Sequence, residues 1–345
     1  MWNALRAMLA DKAFLGAFAS SLALIFAGFL LRRRGVVDAA GKNAVSAILL
    51  RLAIPCMAFN AFMTEFDPAQ LKSNLLVLAL DAVLYALLMG LTPLLRRRFG
   101  ADAALCALFA ALGQITLFSM PILQAIYADA PRDVLLACNM MSLAFRAMLY
   151  LVGYGVAAGQ SPDSKSLAQS LRRTCRNPVM LAMLAGLLLW LTQGLQPQVT
   201  VNGQAVALLR VDQTLPALYA VSRTMAACVT PLAMLLVGLS LGESDLAGAA
   251  RDADAWLLAV LRALAAPALM LGLLLAVRAL PGVHFNEGQI MALLVGTAAP
   301  TSATLTVFCI RFHRREVLAS RVCFLSTLLC ALTLPLCYLA GKLLA

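Results

Sequence analysis

Long apolar runs separated by short charged clusters fill the chain, and none of the runs alternates apolar with polar residues. They predict ten helices, over residues 14–31, 43–63, 73–95, 103–127, 134–157, 178–193, 213–241, 255–277, 288–310 and 317–341. A helix needs about 20 apolar residues to cross the ~30 Å hydrocarbon core. Backbone groups find no water there, so only helices or closed barrels span it, and a barrel needs ~10-residue segments of period two. The pattern therefore predicts an all-α polytopic membrane protein. A cleaved secretory signal ending near Ala17-Phe18-Ala19 is the alternative for the first run. The run continues to Leu31 and halts at Arg32-Arg33-Arg34, which reads as a retained first span.

Composition fits this reading, with 62% apolar and 12% charged residues against about 25% charged in soluble domains. The net charge of +11 is mainly a topology signal. Connections after odd-numbered spans hold fifteen Lys and Arg: Arg32, Arg33, Arg34, Lys42, Arg96, Arg97, Arg98, Lys165, Arg172, Arg173, Arg176, Arg251, Arg311, Arg314 and Arg315. The opposite side holds seven, namely Arg6, Lys12, Lys72, Arg132, Arg210, Arg278 and Lys342. Cytoplasmic loops retain positive charge, so both termini are expected on the periplasmic side of a bacterial inner membrane. No soluble basic module is present for nucleic acid. The nine cysteines include no Cys-x-x-Cys pair and read as packing residues, and His284 and His313 stand without other ligands, so no metal or cofactor is expected. The absence of a Walker lysine motif argues against ATP drive.

The ten runs repeat. Ile54-Pro55-Cys56-Met57-Ala58 parallels Thr230-Pro231-Leu232-Ala233-Met234, Asp81 parallels Arg262, Pro121 parallels Pro300, and Arg132-Asp133-Val134-Leu135 parallels Arg315-Glu316-Val317-Leu318, at offsets of 176 to 183 residues. Five spans per half is odd, so the second half enters the membrane in the opposite sense. The expected organisation is two inverted five-helix repeats, 1–157 and 178–345, joined by a cytoplasmic connection over 158–177.

A proline removes a backbone donor and clashes with the preceding turn, and in lipid such a break survives only where protein or a water-filled cavity satisfies the freed groups. Pro121 closes the polar stretch Gly113-Gln114-Ile115-Thr116-Leu117-Phe118-Ser119-Met120, and Pro300 sits among Thr297, Thr301, Ser302 and Thr304. If both breaks meet at mid-membrane, two half-helix N-termini offer N–H groups and partial positive charge to an anion. Pro55 and Pro231 are expected to break the second and seventh spans in the same way.

These motifs, in order, resemble the auxin efflux carrier family, which includes bacterial organic-acid carriers and the plant PIN auxin carriers and is related to the bile acid:sodium symporters. Gly28-Phe-Leu-Leu-Arg-Arg-Arg-Gly35 is similar to the family's first-span ending, Leu52-Ala-Ile-Pro55 to its second-span motif, Gly113 through Pro121 to its fourth-span crossover, and Ala298-Ala-Pro-Thr-Ser-Ala303 to the ninth-span one. The chain departs at Gln114, Ile115 and Ser119, where the family commonly has Asn, Thr and Gly, so substrate identity does not carry over. The resemblance implies a scaffold of spans 1, 2, 6 and 7 and a mobile unit of spans 3–5 and 8–10. Substrate contacts are expected from Gly113, Gln114, Thr116, Ser119, Pro121, Thr297, Pro300, Thr301, Ser302, Thr304 and Asn60.

An ionisable residue inside a span is a functional candidate by default. Arg51 and Arg223 flank Pro55 and Pro231 and are expected to face a cavity, in contact with substrate or in structural pairs. Arg321, six residues past Arg315, is expected at the interface. Asp81 and Arg262 hold equivalent repeat positions and are expected to form a buried ion pair, either structural or a coupling device whose partner exchanges for substrate or proton; Arg146 is the alternative partner for Asp81. Gly238-x-x-x-Gly242 reads as helix packing, with a homodimer through the scaffold as the other reading. The expected function is a secondary transporter of a small mono- or dicarboxylate, auxin-, malonate- or malate-like, by elevator-like alternating access, with lipids as its surroundings. Two readings compete. One is a sodium-coupled symporter using the hydroxyls of Thr297, Thr301, Ser302 and Thr304. The other is a membrane-embedded transferase, for which Asp252 and Asp254 form a close acidic pair, better explained as solvated loop acids.

Overall fold

Apolar stretches become helices wherever a proline or a glycine does not interrupt them. In the computed structural model, which describes residues 12–127, 132–159, 176–201, 203–243 and 245–345, the chain opens with α1 (Lys12–Arg33), α2 (Ala39–Asn60), α3 (Pro68–Met89), the basic α4 (Thr92–Phe99) and α5 (Ala103–Ala111). There follow α6 (Ile115–Ile126), α7 (Arg132–Ala157), α8 (Pro178–Leu191), α9 (Pro216–Ala227) and α10 (Val229–Gly242). The short α11 (Leu246–Arg251), then α12 (Ala253–Arg278), α13 (Glu287–Thr297), α14 (Ala303–Arg311) and α15 (Glu316–Leu344) complete the chain. The central part of the 158–177 connection, with Lys165, Arg172 and Arg173, lies outside the described residues, as does Arg6.

Among the described residues seven stretches are long and apolar enough to cross a membrane, and one of them, Gln70–Ala111, runs to 42 residues, about twice what a single crossing needs. Two shorter apolar helices, Ile115–Ile126 and Pro178–Leu191, add to these. Large apolar side chains such as Phe26, Leu188, Val221 and Leu332 stand exposed along the spans, a surface that lipid satisfies and water does not. An element the hydrophobic runs did not predict is a β-hairpin, Gln198–Val201 against Gln204–Ala207, with Val199 opposite Val206. Its turn glycine, Gly203, takes a positive φ of 79°, open to glycine without strain.

Prolines shape the spans differently from the expectation of simple breaks. Wide, five-residue π turns cover Leu49–Ala53, Ile115–Ser119 and Leu261–Ala265, and each ends two residues before a proline: Pro55, Pro121 and Pro267. The carbonyls these rings would strike, four residues back, belong to Arg51, Leu117 and Ala263, all inside the wide turns. The turn moves them aside, and the helix continues. Thus α2 runs unbroken through Pro55, and at Pro231 the chain interrupts earlier, at Cys228, leaving the proline in the first turns of α10.

Packing of the spans follows side-chain size. Helices α1 and α10 lie along one another, and a Cβ at Gly28 would strike the Leu235 backbone while one at Gly238 would strike the backbone of Ile25. Gly238 and Gly242 therefore serve contact within the chain, Gly242 against Arg32. Helices α8 and α9 rest on α2. The remaining long helices pack among themselves: α3 and α13 against α7, α12 and α13 against α15, α14 against α15.

Several ion pairs tie neighbouring helix ends together. Arg32 and Lys42 meet Glu243, Arg98 meets Asp254, Arg314 and Arg315 meet Asp102, and Arg321 joins Asp245 to Asp252. Arg321 thus lies at the end of its span, among these charges. Asp252 also caps α12, accepting from the Asp254 and Ala255 N–H groups. Its partial burial raises its pKa, but those amides and the Arg321 guanidinium outweigh this and hold it below the usual carboxylate range. Both loop acids are fully accounted for by structure.

Candidate binding site at two interrupted helices

Two spans are interrupted at the centre of the bundle, where lipid does not reach. Every residue of α13 from Gly288 to Thr297 is buried, and so is nearly all of α5. Helix α5 ends at Ala111, and the chain runs extended through Leu112 and Gly113 before α6 starts. Helix α13 ends at Thr297, and residues 298–302 lead into α14. The two gaps pass each other antiparallel, with Gly113 bridged to Thr301. The Gln114 N–H donates to the Pro300 carbonyl at 2.7 Å and the Ser302 N–H to that of Leu112 at 2.9 Å. The groups that each break frees are bonded by the other, as a buried backbone demands.

The break in the first of these spans lies at Leu112–Gln114, eight residues ahead of where Pro121 suggested it. A proline in a first helical turn is tolerated because its missing N–H would be unpaired there anyway, so Pro121 sits just inside α6 after its wide turn. Pro300 does lie within its gap.

The last carbonyls of a helix lack partners within it and carry the negative end of its dipole. At this crossing two such ends, those of α5 and α13, meet Arg262. Its Nη1 donates to the Ala110 carbonyl at 3.2 Å and the Ala111 carbonyl at 2.8 Å, its Nε to Ala299 at 2.8 Å and its Nη2 to Thr297. A flat guanidinium with five N–H donors suits several carbonyls at once. A Cβ at position 113 would run into that guanidinium, which makes glycine the residue that fits. This corrects the expected ion pair with Asp81. Asp81 is buried on α3, 1% exposed, beside the Tyr85 hydroxyl one turn on and within reach of the Arg262 charge, but forms no ion pair with it. Among the described residues Arg146, the alternative partner, pairs with no acid either; its Nη2 lies 3.5 Å from Thr116 Oγ1.

The two half-helix starts differ. At α14, Ser302 Oγ accepts from the Leu305 N–H at 3.4 Å, Gln114 Oε1 accepts from Ala303 at 3.0 Å, and Ser326 Oγ accepts from Thr301 at 3.0 Å. At α6 no side chain caps the first turn, which holds Thr116. The remaining hydroxyls mostly serve the crossing itself: Thr301 Oγ1 donates to the Phe109 carbonyl, Thr297 Oγ1 to Leu293 and Ser119 Oγ to Val295. Thr304 lies in the first turn of α14 and is partly buried. Thr230 on α10 reaches the Pro121 carbonyl at 3.2 Å, and Asn139 on α7 donates to Ala58 on α2 at 3.0 Å.

Three candidates lie apart from this cluster. Asn60 accepts from Ser222 at 2.8 Å between α2 and α9. Arg51 and Arg223 are exposed on those same two helices and make none of the crossing's hydrogen bonds. Sequence reasoning missed Ser142, Ser326 and Asn139, three polar residues in otherwise apolar runs. That contrast was the one signal available.

A family model described as membrane transport protein, that of the auxin efflux carriers, matches residues 14–338. The chain therefore belongs to this family and is an integral membrane transporter. No curated protein matches it.

Proposed function

We propose that this member of the membrane transport protein family is a secondary transporter that carries a small organic carboxylate, by alternating access, through a site at the crossing of α5–α6 with α13–α14. The observation that carries the reading is the start of α6: a helix N-terminus at the centre of the bundle, uncapped by side chains and flanked by buried Arg146. The Ile115 N–H is taken by the Gly113 carbonyl, but a helix start that no side chain caps still offers amides and positive partial charge to an anion.

The ten runs then read as two inverted five-helix repeats, with Gln70–Ala111 holding the third span and the first half of the interrupted fourth, and each interrupted span crossing once. Helices α1, α2, α8, α9 and α10 act as a scaffold, and the helices that pack among themselves act as a mobile unit carrying the site. Helix α6 packs on α1 and α10 of the scaffold, and Thr230 reaches Pro121 there, a seam along which an elevator-like movement would slide. The charge count supports termini on the outer side. Asp81, buried beside Tyr85 and near the Arg262 charge without an ion pair, is the proton-coupling candidate.

Counterflow in proteoliposomes tests this. Vesicles loaded with unlabelled benzoate or malonate should transiently concentrate the labelled compound, with saturation. A non-saturating conductance without counterflow would rule out a carrier. Replacing sodium by choline checks sodium coupling, and loss of pH dependence in Asp81→Asn checks the proton role.

A further inference from the structure

Arg262 uses its guanidinium on four carbonyls; Arg146, only 5% exposed, does not find such partners. Its single hydrogen bond is the 3.5 Å contact to Thr116 Oγ1, and its Nε is buried without a partner. An arginine stays protonated in a protein, and a buried charge without a partner is strongly unfavourable. One turn earlier on the same face of α7, the buried Ser142 hydroxyl is also unpartnered. Thr116 lies in the first turn of α6, whose N–H groups no side chain caps. Among the described residues the Arg146 Nε and the Ser142 hydroxyl thus lack acceptors, beside a helix start whose Ile115 N–H is taken by the Gly113 carbonyl while no side chain caps the rest.

We propose that Arg146 binds the carboxylate of the transported compound against the first turn of α6, with Thr116 and Ser142 as further donors, and that the site takes one carboxylate. This rests on the transport reading above and names its ligand chemistry. The guanidinium fork matches a carboxylate through two parallel hydrogen bonds. A second carboxylate finds no cation at the crossing: Arg262 is committed to its carbonyls, the start of α14 is closed by Ser302, Gln114 and Ser326, and Arg51 and Arg223 lie on other helices. The compound is therefore a monocarboxylate whose remainder is uncharged.

Thermal unfolding of the purified full-length protein, titrated with benzoate, butyrate, succinate and the amides benzamide and butyramide, tests the assignment. Benzoate or butyrate should stabilise the wild type, succinate less, and the amides not at all. Arg146→Gln should bind the monocarboxylates roughly 10- to 100-fold more weakly, while its ligand-free melting temperature stays level or rises because an unpaired charge is gone. Arg146→Lys should recover part of the affinity. A purely structural arginine would instead lower the ligand-free melting temperature and leave wild-type affinity in the folded fraction. Unchanged affinity in Arg146→Gln, with the wild type responding, overturns this assignment and leaves the transport reading standing. If no carboxylate shifts the wild type and counterflow also fails, the transport reading falls. Should Arg146→Gln not fold, Arg146→Lys and Thr116→Val decide, and wild-type affinity in both overturns the proposal.

Discussion

The starts of α6 and α14 face one antiparallel bridge, yet one is open and the other closed. At α14 three side chains, from α14's own cap, from the opposite gap and from α15, accept the amides. At α6 there is no side-chain cap, and a bare arginine stands beside it. Two interruptions of similar backbone form are thus chemically unequal. What decides is where Gln114 sends its amide: across the bridge to Ala303, away from its own helix. The ends opposite these starts are equal by contrast, since Arg262 serves the carbonyls of α5 and α13 alike.

The comparison breaks most completely at that shared arginine. Arg262→Met leaves up to four carbonyls unpaired at about 1–3 kcal/mol each, so the variant should fail to fold or elute as aggregate in size-exclusion chromatography. A melting curve within a few degrees of wild type would refute the role. Next in size is Gly113→Ala, which pushes a methyl into the Arg262 guanidinium and should cost about 1–3 kcal/mol, seen as a lowered melting temperature with weakened benzoate binding. Gln114→Ala sharpens the comparison: it uncaps Ala303, should cost about 1 kcal/mol, and makes α14 resemble α6. Succinate should then gain affinity relative to benzoate; an unchanged ratio means that the cap does not set selectivity.

Asp252→Asn is the surface control and the smallest effect. Asparagine keeps the cap on α12, so the change mainly removes the charge that faces Arg321, which is worth ~0.5 kcal/mol. The carboxyl of Asp252 is held below its ordinary value of 3.8, so it stabilises the fold above that pH and ceases to as pH falls through the lowered value. Acid unfolding of the variant should lack this component.

Most spans were legible because length and apolarity decide them, and Pro300 marked its gap because three hydroxyl residues and two alanines surround it. Pro121 misled, because a proline disturbs the turn before it and sits well in a first turn, so the break fell at Gly113. The partner of Arg262 was illegible for a related reason. Its acceptors are backbone carbonyls, which every residue carries, and they become special only where helices end. The hairpin at 198–207 did carry a signal, alternating Val-Thr-Val before Asn-Gly, overshadowed by the apolar runs on either side. Ser326 and Ser142 look alike in sequence; only the fold gives one an amide and leaves the other bare.

The wide turns at Leu49–Ala53, Ile115–Ser119, Met148–Gly153 and Leu261–Ala265 also alter angular phase. An α-helix advances about 100° per residue, and a π turn holds one residue more than an α turn, so side chains beyond it point roughly 100° away from where an unbroken helix would aim them. Each turn behaves as a one-residue insertion. Loss of a single codon within Leu261–Ala265 would restore regular winding and swing the face of α12 from Pro267 to Arg278 around its axis, away from α13 and α3 and toward lipid.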